Sequence, residues 1–379
     1  MKKIGIITIT DYVNYGNRLQ NYATQEILKS LGFEVETIVN TPKIEIDGGV
    51  EFTKTRISNA LKLSPSILLK KAIEKINDKL NHSKYISGQV AKDKSFRLFT
   101  KKYITETDFV IPDGIVDIDL DGMYDFFVIG SDQVWNPNLR KGSSFDFAQF
   151  AKAHKRIALS PSIAVSEIPK KYIENYSKWI TEMASLSIRE QAGADIIKKL
   201  SGRDAEVLVD PTLMLTKEDW LKIAEPAVLK PQKKYILTYF IGTVSKERKK
   251  WLHKLASKHD LEIVQMASLD DLKRYDANPG EFIDYVNRAE IVCTDSFHSV
   301  IFSMQMEKPF IVFDREGKSA QMSSRIDTLL TKFSLENRKF SNISQLENIF
   351  EINYKHVPSI LNKERQKVIT YLKNALCVE

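Results

Sequence analysis

Cysteine is almost missing from this chain. The two that occur, Cys293 and Cys377, stand far apart and in no ligand-like spacing, so neither a disulfide framework nor a thiolate metal site is expected. Also missing is any apolar run near the roughly 20 residues needed to cross a bilayer. The opening Met1-Lys2-Lys3 leads into Ile4-Gly5-Ile6-Ile7-Thr8-Ile9-Thr10, which is too short for a secretory core and reads better as a buried strand. A cytoplasmic protein is the resulting expectation. Strong charge of one sign is lacking too: 56 basic residues face 49 acidic ones, a net charge of +7. So small an excess does not point to nucleic acid, and neither the basic stretches nor the aromatics form a known recognition module. It suits small anionic substrates or loose contact with an acidic membrane surface equally well.

What is present is an α/β rhythm. At 379 residues with 43% hydrophobic content, the chain is too long for one typical core, and two domains are expected. Residues 3–9 read as a strand, residues 17–31 as a helix stopped by Gly32, and residues 33–39 as a second strand. This opening has the plan of a Rossmann unit without the G-x-G-x-x-G fingerprint, so a dinucleotide is not the favoured ligand. Further strands are expected at 125–129, 156–159, 184–188 and 205–209, with helices at about 170–183 and 191–200. After a Pro-containing stretch a second series follows: strands at 235–241, 261–266, 290–294 and 309–313, with helices at 245–258, 280–289 and after His298. Alternation of this kind implies parallel sheets.

The expected organisation is a first Rossmann-like domain over 1–215, a second over 232–340, and C-terminal helices over 341–379 that pack back on the first. A Lys-rich helical insertion lies at about 52–104. Its ordinary reading is a solvated basic face over a packed apolar one; the alternative is contact with a membrane surface or a polyanion. Two α/β halves joined by one linker put a ligand cleft between the carboxyl ends of their sheets.

Polar residues collect where strands hand over to helices. In the second half, Ile291-Val292-Cys293-Thr294 runs into Asp295-Ser296-Phe297-His298-Ser299 and then into an apolar helix. A helix start offers unpaired N–H groups to an anion, and an imidazole there can hold a proton beside it. The plainer reading makes His298 a first-turn residue bonded to a neighbouring loop. In the first half, Gly130-Ser131-Asp132-Gln133-Val134-Trp135-Asn136 follows a buried strand; small residues let a ligand approach the backbone, while Asp132 and Gln133 can reach hydroxyls. Gly-Ser-Asp is also an ordinary turn or cap. Arg189 stands at a similar edge, where its planar fork can clamp a carboxylate or phosphate, or simply pair with a surface acid such as Glu190. Arg325, opening a later helix, is a second candidate anion contact.

Taken together, Asn14-Tyr15-Gly16-Asn17, Gly130-Ser131-Asp132-Gln133-Val134-Trp135-Asn136, Ser187-Ile188-Arg189-Glu190, Val209-Asp210-Pro211-Thr212 and Asp295-Ser296-Phe297-His298-Ser299 occur in an order that resembles the polysaccharide pyruvyl transferase family, over roughly residues 4–335. The resemblance implies a glycosyltransferase-B-like fold of two Rossmann-like domains. It also implies transfer of a pyruvyl group from phosphoenolpyruvate to two sugar hydroxyls as a ketal, with no metal or other cofactor. His298 resembles the family's histidine of the second domain and Arg189 its first-domain arginine. Members with established pyruvyl transfer usually carry Arg-Leu-His where this chain has Ser296-Phe297-His298, so Arg325, Arg315 or Lys318 would have to supply that charge.

On this reading His298 is the acid, and Asp132 or Asp295 takes a proton from the attacking hydroxyl. Arg189 and Arg325, with Ser296, Phe297 and Ser299, hold the donor. Asn14, Asn17, Gly130, Ser131, Gln133 and Trp135 face the acceptor, a sugar or lipid-linked oligosaccharide at the inner face of the membrane. Two other functions remain in play on the same scaffold: glycosyl transfer from a nucleotide sugar, and non-catalytic glycan binding.

Overall fold

The computed structural model describes residues 1–41, 85–315 and 324–378. The first sheet contains β1 (Lys3–Ile7), β2 (Glu34–Asn40), β3 (Glu106–Ile111), β4 (Phe126–Ile129) and β5 (Arg156–Ala158), in the order β3-β2-β1-β4-β5 and parallel throughout. That is the strand order of a Rossmann half. β1 and β4 pair at the centre, Ile4 with Phe126 and Ile7 with Ile129, which is why both read as nearly continuous apolar runs. Between β1 and β2 lies α1 (Tyr15–Ser30); the Asn14 side chain caps it by accepting the Asn17 N–H, and it buries Leu19, Ala23, Ile27 and Leu28 against the sheet.

Past β5 the chain adds α3 (Ile173–Thr181), β6 (Ser187–Ile188), α4 (Gln191–Ser201) and β7 (Glu206–Val207). β6 and β7 pair in parallel, and a bridge between Ile157 and Ser185 ties this small sheet to β5. The second large sheet is also parallel: β8 (Tyr235–Tyr239), β9 (Glu262–Gln265), β10 (Ile291–Thr294) and β11 (Phe310–Val312), in the order β11-β10-β8-β9. Its helices are α6 (Lys246–Lys258), α7 (Pro279–Arg288), α8 (Phe297–Gln305) and α9 (Ser324–Lys332). The last helix, α10 (Val357–Leu376), returns to the first half: the Tyr371 hydroxyl donates to the Ala158 carbonyl at 2.6 Å, and Arg365 donates to the carbonyls of Leu213 and Leu215. The protein is thus an α/β fold of two Rossmann-like parallel sheets.

Two elements differ from the sequence reading. β3 was not expected at all, because Glu-Thr-Asp-Phe-Val-Ile is polar enough to pass for a loop, and it survives as an edge strand. The stretch taken as irregular after Pro211 contains α5 (Lys217–Ile223), opened by a Thr216 and Asp219 capping box and pinned by the buried Trp220. Most of the Lys-rich insertion lies outside the described residues; within it, residues 85–103 form one helix, α2.

One apolar core runs beneath both sheets, from Ile4, Leu19 and Leu28 through Trp220 to Phe282, Val292, Val300 and Phe302. Tyr15, at the start of α1, stacks on Phe282 of α7 at 4.6 Å and meets Tyr239 of β8 edge-on. The two halves therefore pack directly on each other along this core, with the strand ends above the seam.

Candidate active site

Four strand ends meet at the seam. β4 ends in Gly130-Ser131-Asp132, where Gly130 has φ +125° and an added Cβ would lie 2.1 Å from the Leu159 carbonyl oxygen. Only glycine fits there, and the turn it permits holds the Ser131 N–H on the Gln20 side-chain carbonyl. From the end of β6, Arg189 donates to Asp210 Oδ2 at 2.6 Å and brings Nη2 to 3.5 Å from Asp132 Oδ1. Asp210 follows β7. It accepts from the Ser131 hydroxyl and from the Thr212 N–H and hydroxyl. It is a fully buried carboxylate with donors on both oxygens.

The fourth end is β10. Ser296 caps α8 through the Ser299 N–H, and His298 in the first turn points across the seam, with Nε2 3.5 Å from Asp210 Oδ2. Its ring lies directly on Gly16 of α1: an added Cβ at Gly16 would sit 2.0 Å from His298 Nδ1. Two guanidinium groups lie near the Phe297 ring, Arg189 at 4.5 Å and Arg325 of α9 at 5.9 Å, each within range of a cation–π contact.

This pocket is rich in unanswered donors. Arg189 Nε, Arg325 Nε and the Ser299 hydroxyl are buried without a hydrogen-bond partner, while Arg189 Nη2 and His298 Nε2 have only a long contact of 3.5 Å to a carboxylate oxygen. Buried N–H groups normally have partners, so this cluster suits an acceptor-rich anion. The charges agree. Burial, and next the neighbouring Arg189, lower Arg325 to about 10. Burial pushes the Asp132 carboxyl up, but His298, then Arg189 and Arg325, outweigh it and hold it below the usual range. Asp210 is treated alike and lies far lower.

Beside the pocket, with Asp132 on its wall, opens a cavity of about 470 Å³ lined by Asp11, Asn14, Asn17, Asn40 and Gln133 among others. Amides and carboxylates of this kind suit hydroxyls. Not every residue singled out from the sequence arrives here. Trp135 is fully buried, stacked on Phe147 at 4.8 Å with its indole N–H on the Asp146 carbonyl. Gly130 and Ser131 support the floor rather than face the cavity. Asp295 spends its carboxylate on the N–H groups of Ile241 and Gly242, at 2.7 and 2.8 Å, with Arg315 Nε 3.7 Å away; it fixes the loop after β8 and has no oxygen facing the cavity. Lys318 lies outside the described residues. Gly16 and Asp210 stand in the motifs that carry the resemblance but were given no role there, and Asp11 was not singled out. The strand-then-Asp pattern at Val209-Asp210 was the one signal that could have found Asp210, while nothing local marks Gly16 as the residue beneath an imidazole.

No curated protein is significantly similar in sequence. Among solved structures, the chain is similar to that of a candidate UDP-N-acetylglucosamine 2-epimerase from Listeria monocytogenes (TM-score 0.48, 9% identity, 99% of this chain and 96% of that one). It is also similar to S. aureus MnaA with UDP (TM-score 0.45, 11% identity, 100% and 98%). The sequence profile described as polysaccharide pyruvyl transferase matches residues 14–317, a span that holds Gly16, Asp132, Arg189, Asp210 and His298. The chain belongs to the polysaccharide pyruvyl transferase family and is a transferase that modifies polysaccharide.

Proposed function

We propose that this transferase moves a pyruvyl group from phosphoenolpyruvate to two hydroxyls of a sugar, forming a ketal. The observation that carries the reading is the convergence of Arg189, Arg325 and His298 around Asp132, with buried polar atoms that lack full hydrogen-bond partners, next to a hydroxyl-suited cavity that Asp132 lines. Phosphoenolpyruvate carries a carboxylate and a phosphate close together, and two guanidinium groups held near one ring suit that pair. Arg325 supplies the charge that other members draw from an arginine two residues before the histidine. It reaches Phe297 from a different helix.

Protonated His298 delivers its Nε2 proton to the methylene carbon of the donor; the π pair forms the new C–H bond and the central carbon becomes electrophilic. Asp132, ionised by its cationic neighbours, accepts the proton of the attacking sugar hydroxyl. Asp210 touches neither substrate: it holds Arg189 and faces His298, setting the position of both. The acceptor is a sugar, free or lipid-linked, on the cytoplasmic side where phosphoenolpyruvate is available. The basic insertion that includes α2 is suited to contact with an anionic membrane face.

The test is incubation with phosphoenolpyruvate and p-nitrophenyl hexosides of gluco, galacto and manno configuration, each with free 4- and 6-hydroxyls. Product should gain the mass of one ketal-linked pyruvate with release of one phosphate. His298→Gln should lower turnover by about 10²–10⁴-fold while leaving phosphoenolpyruvate binding measurable. Phosphate release by the unaltered enzyme without any mass gain would count against ketal transfer.

A further inference from the structure

The cavity holds a second carboxylate that the steps above leave unused. Asp11, in the loop between β1 and α1, lines it together with Asp132. Its Oδ1 accepts the Val13 N–H at 2.8 Å, which fixes the side chain. The two carboxylates are close enough to feel each other, and their surroundings drive them apart. Burial pushes Asp11 up, against the Val13 N–H and the Arg18 charge, and Asp132 pushes it further; Asp132 itself is held down by the cation pocket. Lys92 of α2, buried over the rings of Tyr15 at 4.5 Å and Phe96 at 5.2 Å, gives Asp11 a facing positive charge.

Asn17 adds an independent sign of a ligand. It is almost wholly buried and lines the cavity. Its Oδ1 is taken by the Asp11 N–H and by Arg18 Nε and Nη2, while its Nδ2 has no partner. A buried amide donor without a partner, on a residue that lines a polar cavity, suits an oxygen that comes with the substrate.

Ketal formation needs two deprotonations at two different oxygens, and one carboxylate cannot take both protons without being reset between them. We propose that Asp11 accepts the proton of the second sugar hydroxyl, with Asn17 Nδ2 holding an acceptor hydroxyl oxygen between Asp11 and Asp132. This rests on phosphoenolpyruvate being the donor. In the first step the methylene carbon gains a proton from His298, the first hydroxyl oxygen bonds to the central carbon, and its proton goes to Asp132. The adduct keeps its phosphate. In the second step the other hydroxyl oxygen bonds to the same carbon and its proton goes to Asp11. The carbon–oxygen bond to phosphate breaks with its electron pair, releasing inorganic phosphate. Two carboxylates in one site whose environments separate them are suited to such sequential roles.

Asp11→Asn keeps an acceptor for the Val13 N–H, and circular dichroism serves as the folding control. The variant is assayed with phosphoenolpyruvate and whichever of the three hexosides the unaltered enzyme converts best, recording ketal and phosphate separately. The expected result is a fall in ketal formed per phosphate released of about ten-fold or more, because the phosphate-bearing adduct forms and is then lost to water as pyruvate and phosphate. Ketal and phosphate that fall in parallel, or that do not change, would overturn the assignment of Asp11. An unaltered enzyme that forms no ketal from any hexoside overturns the donor reading, and this proposal with it, before the variant is compared.

Discussion

Gly16 and the His298 ring lie against each other, and the contact explains why the first turn of α1 needs a glycine at that point. With a Cβ 2.0 Å from Nδ1 the imidazole would have to move, and a displacement of about 1 Å at a reacting group can cost on the order of 10²-fold in rate. Gly16→Ala should therefore lose activity by about that factor while keeping a normal unfolding midpoint; retained activity would show that the ring has no fixed position. Asp210 sets a different expectation. Burial raises its carboxyl, yet the charges of His298 and Arg189 hold it far below the usual range. Since the folded value lies below the unfolded one of about 3.9, its contribution to stability is complete above that pH and is lost as pH falls through lower values. Asp210→Asn should cost about 3–5 kcal/mol at neutral pH, as removal of one partner from a buried pair does, and should flatten the acid limb of stability against pH. Urea unfolding from pH 7 down to 2 reads both effects, and an unchanged acid limb would remove the assignment. At this scale the sequence was informative about kinds of residue at strand ends and uninformative about their use. Asp295 and Asp132 follow strands in the same way, and only the neighbours at Ile241 and Gly242 commit Asp295 to backbone.

Elements were the most legible level, because the signals that make them are local. Helices α1, α4, α6, α7 and α10 follow their 3.6-residue apolar spacing, and β1, β4, β8 and β10 their buried runs. β3 escaped because an edge strand tolerates polar residues, and α5 because its evidence is a cap and one tryptophan rather than a stripe. α10 matters beyond its own stability, since it fastens the end of the chain to the edge of the first sheet. Leu372 on its inner face is fully buried, so Leu372→Ala should cost about 2–5 kcal/mol, measured by the urea midpoint. A loss below about 1 kcal/mol would mean that the helix rests loosely on the first half.

For the whole molecule, the decisive feature is the shared core. Tyr15, Trp220, Phe282 and Phe302 form a continuous aromatic path from α1 through α5 to α7 and α8. Two units joined by an apolar interface of this kind lose their independence, so calorimetry should record one cooperative transition; two resolved transitions would show that the halves unfold separately. The sequence by itself determined the two parallel α/β series and the placing of polar residues at strand ends, since periodicity, caps and turn residues act over a few positions. Tertiary structure alone decided which of those residues meet. Arg189 and Arg325 come from opposite sides of the seam to one phenylalanine ring, His298 finds its space above Gly16, and Asp11 joins Asp132 in one cavity, because contacts between distant positions are fixed by how the two halves pack.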